Sequence, residues 1–335
     1  MKKKFYILSI IALVSIIESC STVNNYYILG EKDYQSRNYP AALDKFQLAI
    51  NKNPNDYKLY FSLAKAYSSM ANHKKAIEAY SKAIKLNDKD SLSYLNRGIE
   101  YIYLEEYVKA ESDFNNAIEL DSSNYLTYFS RAYVESIRRD FKSALKDYNS
   151  SIVLNPNNEK AYVNRGNTKG ELQNYPGAIE DYTKAIKINP KDSNAYLIRG
   201  FDFALLGGFD YAIEDFTKVI EIDSTNKDAY YFRGDAFKVV NKYDSALNDF
   251  SKIIELYPDE SKAYFKRGMT MLDKGEKKSA CPDLERAGKM GYFDAYAAIE
   301  KYCKKTNQPK FHKQIDKKHR QKSVKPPAEK AKVKK

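Results

Sequence analysis

An alanine recurs every 34 residues without a slip, at Ala42, Ala76, Ala110, Ala144, Ala178, Ala212, Ala246 and Ala280. A tyrosine precedes each by 16 residues, from Tyr26 and Tyr60 through to Tyr230 and Tyr264. Four residues after each tyrosine stands a small residue, such as Ala64 or Gly98, and four after each alanine a large apolar one, such as Phe46 or Tyr148. Spacings of three and four place side chains on one face of a helix. Each period therefore holds two helical stretches, for example 57–70 and 74–86, joined by a short polar turn. One such pair cannot cover its own apolar faces, so equal pairs must stack on one another.

The sizes fix the packing. Small residues such as Gly98 and Ala110 let two backbones approach closely, while Tyr94 and Phe114 fill the space on either side. Pro54, Pro156, Pro190 and Pro258, all at position 32 of the unit, stop the second helix, because proline lacks the amide donor and clashes with the preceding turn. Asn55, Asn157 and Asp192 follow as acceptors for the start of the next helix.

These residues resemble the tetratricopeptide repeat (TPR), an aromatic, Leu-Gly, aromatic, Ala, aromatic, Ala, Pro pattern over 34 residues. The resemblance covers residues 23–294 as eight repeats beginning at 23, 57, 91, 125, 159, 193, 227 and 261. It implies an all-α, right-handed superhelical solenoid. Residues 292–303 look like the capping helix of exported bacterial repeat proteins.

The family usually has leucine at repeat position 7, and here only Leu29 and Leu63 keep it. The next six repeats carry Arg97, Arg131, Arg165, Arg199, Arg233 and Arg267, and position 23 of the same six carries Asp113, Asp147, Asp181, Asp215, Asp249 and Asp283. The two leucine repeats have Lys45 and Ala79 instead. Antiparallel helices put positions 7 and 23 at similar heights, which predicts a structural ladder of bidentate Arg–Asp pairs. A partner in the adjacent repeat, or a stripe of anion-binding arginines, is the alternative.

In the family, positions 5, 9 and 12 of the first helices line the concave face. The candidate groove residues are accordingly Phe61, Leu95, Phe129, Tyr133, Asn167, Phe201, Tyr231 and Phe265. The Lys and Asn set that clamps a peptide's terminal carboxylate in related modules is absent, so the expected guest is a peptide or helix of a protein partner with apolar anchors. Position 5 can equally pack between repeats.

Net charge is +12, from 56 Lys and Arg against 44 Asp and Glu, but it is concentrated at the ends. Residues 304–335 hold 13 Lys and Arg against Asp316 and Glu329, leaving the body near neutral. With three prolines and almost no aromatic residues, that segment reads as a disordered basic tail. Lys2 to Lys4 followed by apolar 5–17 form an export signal over residues 1–19, and Ile17-Glu18-Ser19-Cys20 resembles a bacterial lipobox. The resemblance implies acylation of Cys20 and a mature N-terminus at 20–22, with a membrane held through the lipid. It implies an outer-membrane lipoprotein facing the periplasm, the inner membrane or cell surface being the alternatives. An uncleaved anchor or an ordinary signal would also export the body. Export argues against nucleic acid as the partner of the tail, whereas an anionic envelope polymer or lipid fits its charge.

No phosphate-cradling glycine loop, metal-ligand spacing or catalytic constellation stands out, so no cofactor, no metal and no enzyme activity is expected. The readings left are an envelope interaction scaffold, or a tether working through the tail. Cys281 opens the second helix of repeat eight and Cys303 closes the cap, so an antiparallel arrangement would bring them into disulfide range; two free thiols are the alternative.

Overall fold

In the computed structural model, residues 22–303 are described, and everything that follows concerns them; the export signal, Cys20 and the basic tail lie outside them. They form helices without a strand. Helix α1 covers 22–35 and α2 Tyr39–Lys52, and the next six repeats continue as α3 Tyr57–Ser69, α4 His73–Leu86, α5 Ser91–Tyr103, α6 Tyr107–Leu120, α7 Tyr125–Ile137, α8 Phe141–Leu154, α9 Glu159–Glu171, α10 Tyr175–Ile188, α11 Ser193–Leu205, α12 Phe209–Ile222, α13 Lys227–Val239 and α14 Tyr243–Leu256. Repeat eight is α15 Ser261–Lys274 with α16 Lys277–Lys289, followed by the cap, α17 Phe293–Ala298 and a π-turn over Ile299–Cys303. The chain divides into two compact units within α12, one ending at Asp215 and the other starting at Phe216. In each unit consecutive helices pack side by side.

The helix starts are set by side chains that accept from otherwise unpaired amides: Asp56 from Lys58, Asp90 from Ser93, Asn124 from Leu126 and Asp192 from Asn194. Asp192 acts as the sequence predicts. Asn55 and Asn157 do not, because the caps fall one residue later, at Asp56 and at Asn158, whose side chain makes no capping bond. The prolines need two residues rather than one to clear the helix end and leave a turn before the cap. His73 opens α4.

Within each repeat the turn between helices passes through a positive φ at position 15, at Arg37, Ala71, Glu105, Arg139, Gln173, Gly207, Asn241 and Gly275. The amide of Asn72 bonds back to the Tyr67 carbonyl and that of Ala71 to Ser68, which closes the end of the helix and holds this conformation. Glycine is therefore not required there, and only two repeats use it.

The position-24 side chains are the heart of each pair. Phe46, Tyr80, Phe114, Tyr148, Tyr182 and Phe250 are almost fully buried, each contributing about 1.5–3 kcal/mol of apolar transfer free energy. Position 8 must be small to admit them: a Cβ built on Gly98 would lie 2.6 Å from the Phe114 ring.

Candidate functional site

The arginines at position 7 all do the same thing. Nε and Nη2 of Arg97, Arg131, Arg165 and Arg199 in the first unit, and of Arg233 and Arg267 in the second, donate to both carboxylate oxygens of the aspartate 16 residues on, at 2.5–3.0 Å. Nη1 reaches back 16 residues to the preceding repeat, donating to Ser81, Asn115, Asn149, Thr183, Thr217 and Ser251 at 2.6–3.1 Å. Each guanidinium also lies 5.5–5.9 Å from the centre of the tyrosine ring three residues before it, which accounts for one recurrent use of tyrosine. Three of the five N–H groups of each guanidinium are thus spent within the chain, two on the aspartate and one on the preceding repeat. Burial pushes the Asp215 and Asp249 carboxyls above their ordinary range against the pull of Arg199 and Arg233. Desolvation thus outweighs attraction at those two carboxylates.

The groove candidates separate into two groups. At position 5, Leu95 and Tyr231 are buried and closed to a guest, a correction to the sequence reading. Phe61 and Phe129 lean on the position-24 rings Tyr80 and Tyr148, at 5.6 and 6.0 Å, and Phe265 on Tyr292 at 4.8 Å. The reason is geometric: at Phe61 and Phe129 position 5 points onto the ring of its own second helix, and at Phe265 onto the start of the cap. At position 9, Tyr133, Asn167 and Phe201 are exposed. One turn further on, position 13 exposes Tyr103, Ile137 and Leu205, which the sequence reading did not name although they lie four residues from position 9 on the same face.

Between repeats four and five, Tyr133, Ser136, Ile137, Asn164, Asn167 and Glu171 are among the residues lining a cleft of about 300 Å³. Its floor is pinned by Ser136 and Thr168, whose hydroxyls are 3.1 Å apart, and by the Tyr182 hydroxyl donating to Asn167 Oδ1 at 2.9 Å. The face therefore alternates within the first unit: aromatic and aliphatic at repeats three and four, polar at repeat five, apolar again at repeat six.

Two buried acids lie near this face. Burial, reinforced by Asp147, raises Glu135 to about 7, and its Oε2 has no hydrogen-bond partner. Burial alone raises Asp202 to about 6, and its Oδ2 is likewise unpartnered. Glu100 is buried as well but meets His73 Nδ1 at 2.7 Å, with the His73 ring stacked on Tyr103. In the second unit a disulfide joins Cys281 to Cys303, with Cα atoms 5.6 Å apart, tying α16 to the end of the cap. Among the described residues, no group of three or more His, Cys, Asp and Glu is placed to hold a metal ion, and no helix is long and apolar enough to cross a membrane.

Models of the tetratricopeptide repeat match residues 57–90, 92–124 and 159–192. The chain carries tetratricopeptide repeats. Among solved TPR structures, YrrB, described as a TPR protein with an unusual peptide-binding site, is 26% identical with a TM-score of 0.51, over 56% of this chain and 96% of that one. A TPR protein from Parabacteroides merdae is 22% identical with a TM-score of 0.52, over 73% of this chain and 97% of its own. The C-terminal part of a TPR protein from Cytophaga hutchinsonii is 16% identical with a TM-score of 0.61, over 72% and 98%. These last two share the fold. A search of curated proteins returns no match.

Proposed function

We propose that this repeat protein is a non-enzymatic protein–protein interaction scaffold that holds a partner peptide or helix along the exposed face of its first helices. One observation carries the reading: side chains at positions 9 and 13 form an apolar row, Tyr103, Tyr133, Ile137, Phe201 and Leu205, interrupted by the polar cleft at repeat five. An apolar row with polar groups set within it is the composition of a peptide site, where the apolar side chains anchor and the polar ones orient. The peptide-binding site described for YrrB supports the same reading by analogy.

The scaffold is further proposed to sit in the cell envelope, facing the periplasm from the outer membrane and anchored by acyl chains on Cys20. The support is the charged start, apolar run and Ile17-Glu18-Ser19-Cys20 of the sequence. Acyl labelling and membrane fractionation check this, with Cys20→Ser expected to lose both the label and the membrane association.

A photo-crosslinker placed at Tyr133 or Leu205 is expected to trap the partner, and one placed at the exposed outer residue Val153 is not. Equal trapping at all three positions would move the binding surface off the first helices. Trapping that instead disappears on deleting 304–335 would favour the tether reading, in which the basic tail grips an anionic polymer.

A further inference from the structure

Repeat position 10 faces the preceding repeat, and two of its polar occupants find side-chain partners there. Glu100 meets His73, and Thr168 meets Ser136. Asp202 occupies the same position in repeat six and is just as buried, at 5% exposure, yet Oδ2 has no partner among the described residues. Counting back by the 34-residue register, the residues opposite Asp202 are Gly170 and Tyr175, the equivalents of Ser136 and of His73. Gly170 supplies no side chain, and nothing lies within 4 Å of where its Cβ would be. The Tyr182 ring is close enough to feel the charge of Asp202. An acid thus stands unanswered beside a notch one side chain wide, in a molecule where six other buried aspartates are each gripped by an arginine.

We propose that Asp202 and the Gly170 notch form a cation pocket that receives one lysine or arginine side chain of the partner peptide and fixes the peptide's register on the face. The inference rests on the peptide-binding reading of that face. The chemistry selects the guest. A notch left by one missing side chain admits a thin chain tipped with charge, and an ammonium or guanidinium supplies the donors that an isolated carboxylate lacks. Its aliphatic stem runs past exposed Phe201, the kind of apolar surface such stems cover. A divalent ion is not served, because Ca²⁺ and Mg²⁺ need several oxygen ligands and no group of three or more His, Cys, Asp and Glu gathers here among the described residues. Burial alone holds the carboxyl up at about 6, so no cation of the chain itself compensates it.

The test uses the full-length protein and two acetylated, amidated peptides, Leu-Ala-Lys-Ala-Leu and its Gln-for-Lys twin, measured by calorimetry. The lysine peptide is expected to bind at least ten-fold more tightly, as a hydrogen bond to a charged group allows. That preference is expected to vanish in Asp202→Asn, which keeps the shape, and in Gly170→Leu, which plugs the notch and favours the helix. Equal affinity of the native protein for the two peptides, or a preference that survives Asp202→Asn, overturns the pocket while leaving the face as a peptide site. Failure of both peptides to bind the native protein at millimolar concentration removes the peptide site and the pocket with it.

Discussion

Repeats one and two and repeats three to eight solve the same joint in different ways. The first two set leucine at position 7 with no aspartate at position 23; Leu63 is buried, and Leu29, with no repeat before it, is half covered. The other six replace the leucine with an arginine that grips its own aspartate and the repeat before it. A leucine contact is non-directional, whereas a guanidinium fork meets a carboxylate in one planar geometry. The ladder therefore ties each of these six repeats to one side chain of the repeat before it. Its cost shows in Asp215 and Asp249, whose carboxyls are pushed up despite their partners.

Converting one type of repeat into the other is the sharpest way to break this comparison. Arg97→Ala leaves Asp113 buried and unpaired and is expected to lower stability by about 3–5 kcal/mol in urea unfolding. Arg97→Leu with Asp113→Ala, which rewrites repeat three in the pattern of repeat two, is expected to recover most of that loss. A double variant as unstable as the single one would show the ladder to be a net source of stability. Arg165→Ala is expected to cost less than Arg97→Ala, because Lys169 Nζ still lies 2.8 Å from Asp181.

Glu135 tests the ladder where it carries an extra acid. Its folded value of about 7 lies above the ordinary 4.5, so the penalty is absent at low pH, grows as pH rises from 4.5 and is complete above 7. Glu135→Gln is expected to match the native protein at pH 4.5 and exceed it by about 1–2 kcal/mol at pH 8. Parallel stability curves for the two proteins would contradict the raised value. The smallest effect is expected from Ser81→Ala, which removes the backward bond of Arg97 and costs about 0.5–1.5 kcal/mol, read as a shift in the denaturant midpoint.

How much of this can be read from the chain differs from residue to residue. The exchange at positions 7 and 23 is visible because both change together in the same six repeats. The backward partners at position 25 are not, because Ser, Asn and Thr there look like any solvated helix surface until stacking brings an arginine within reach. Position 5 reads as groove or core equally well, since an apolar side chain does not declare which neighbour covers it; the rings at position 24 decide for the core at Leu95 and Tyr231. The row at position 13 follows from position 9 by one helical turn and needed only that step.

The sequence alone determined the period, the helical pairs and the places where small residues must meet large ones, because those depend on contacts within one 34-residue unit and repeat eight times. Only the tertiary structure decided which apolar residues stay exposed, where Arg97 and its equivalents reach backward, and that Asp202 is left without the partner Glu100 has. Those outcomes depend on which side chain of a neighbouring repeat happens to stand opposite, and local spacing carries no record of it.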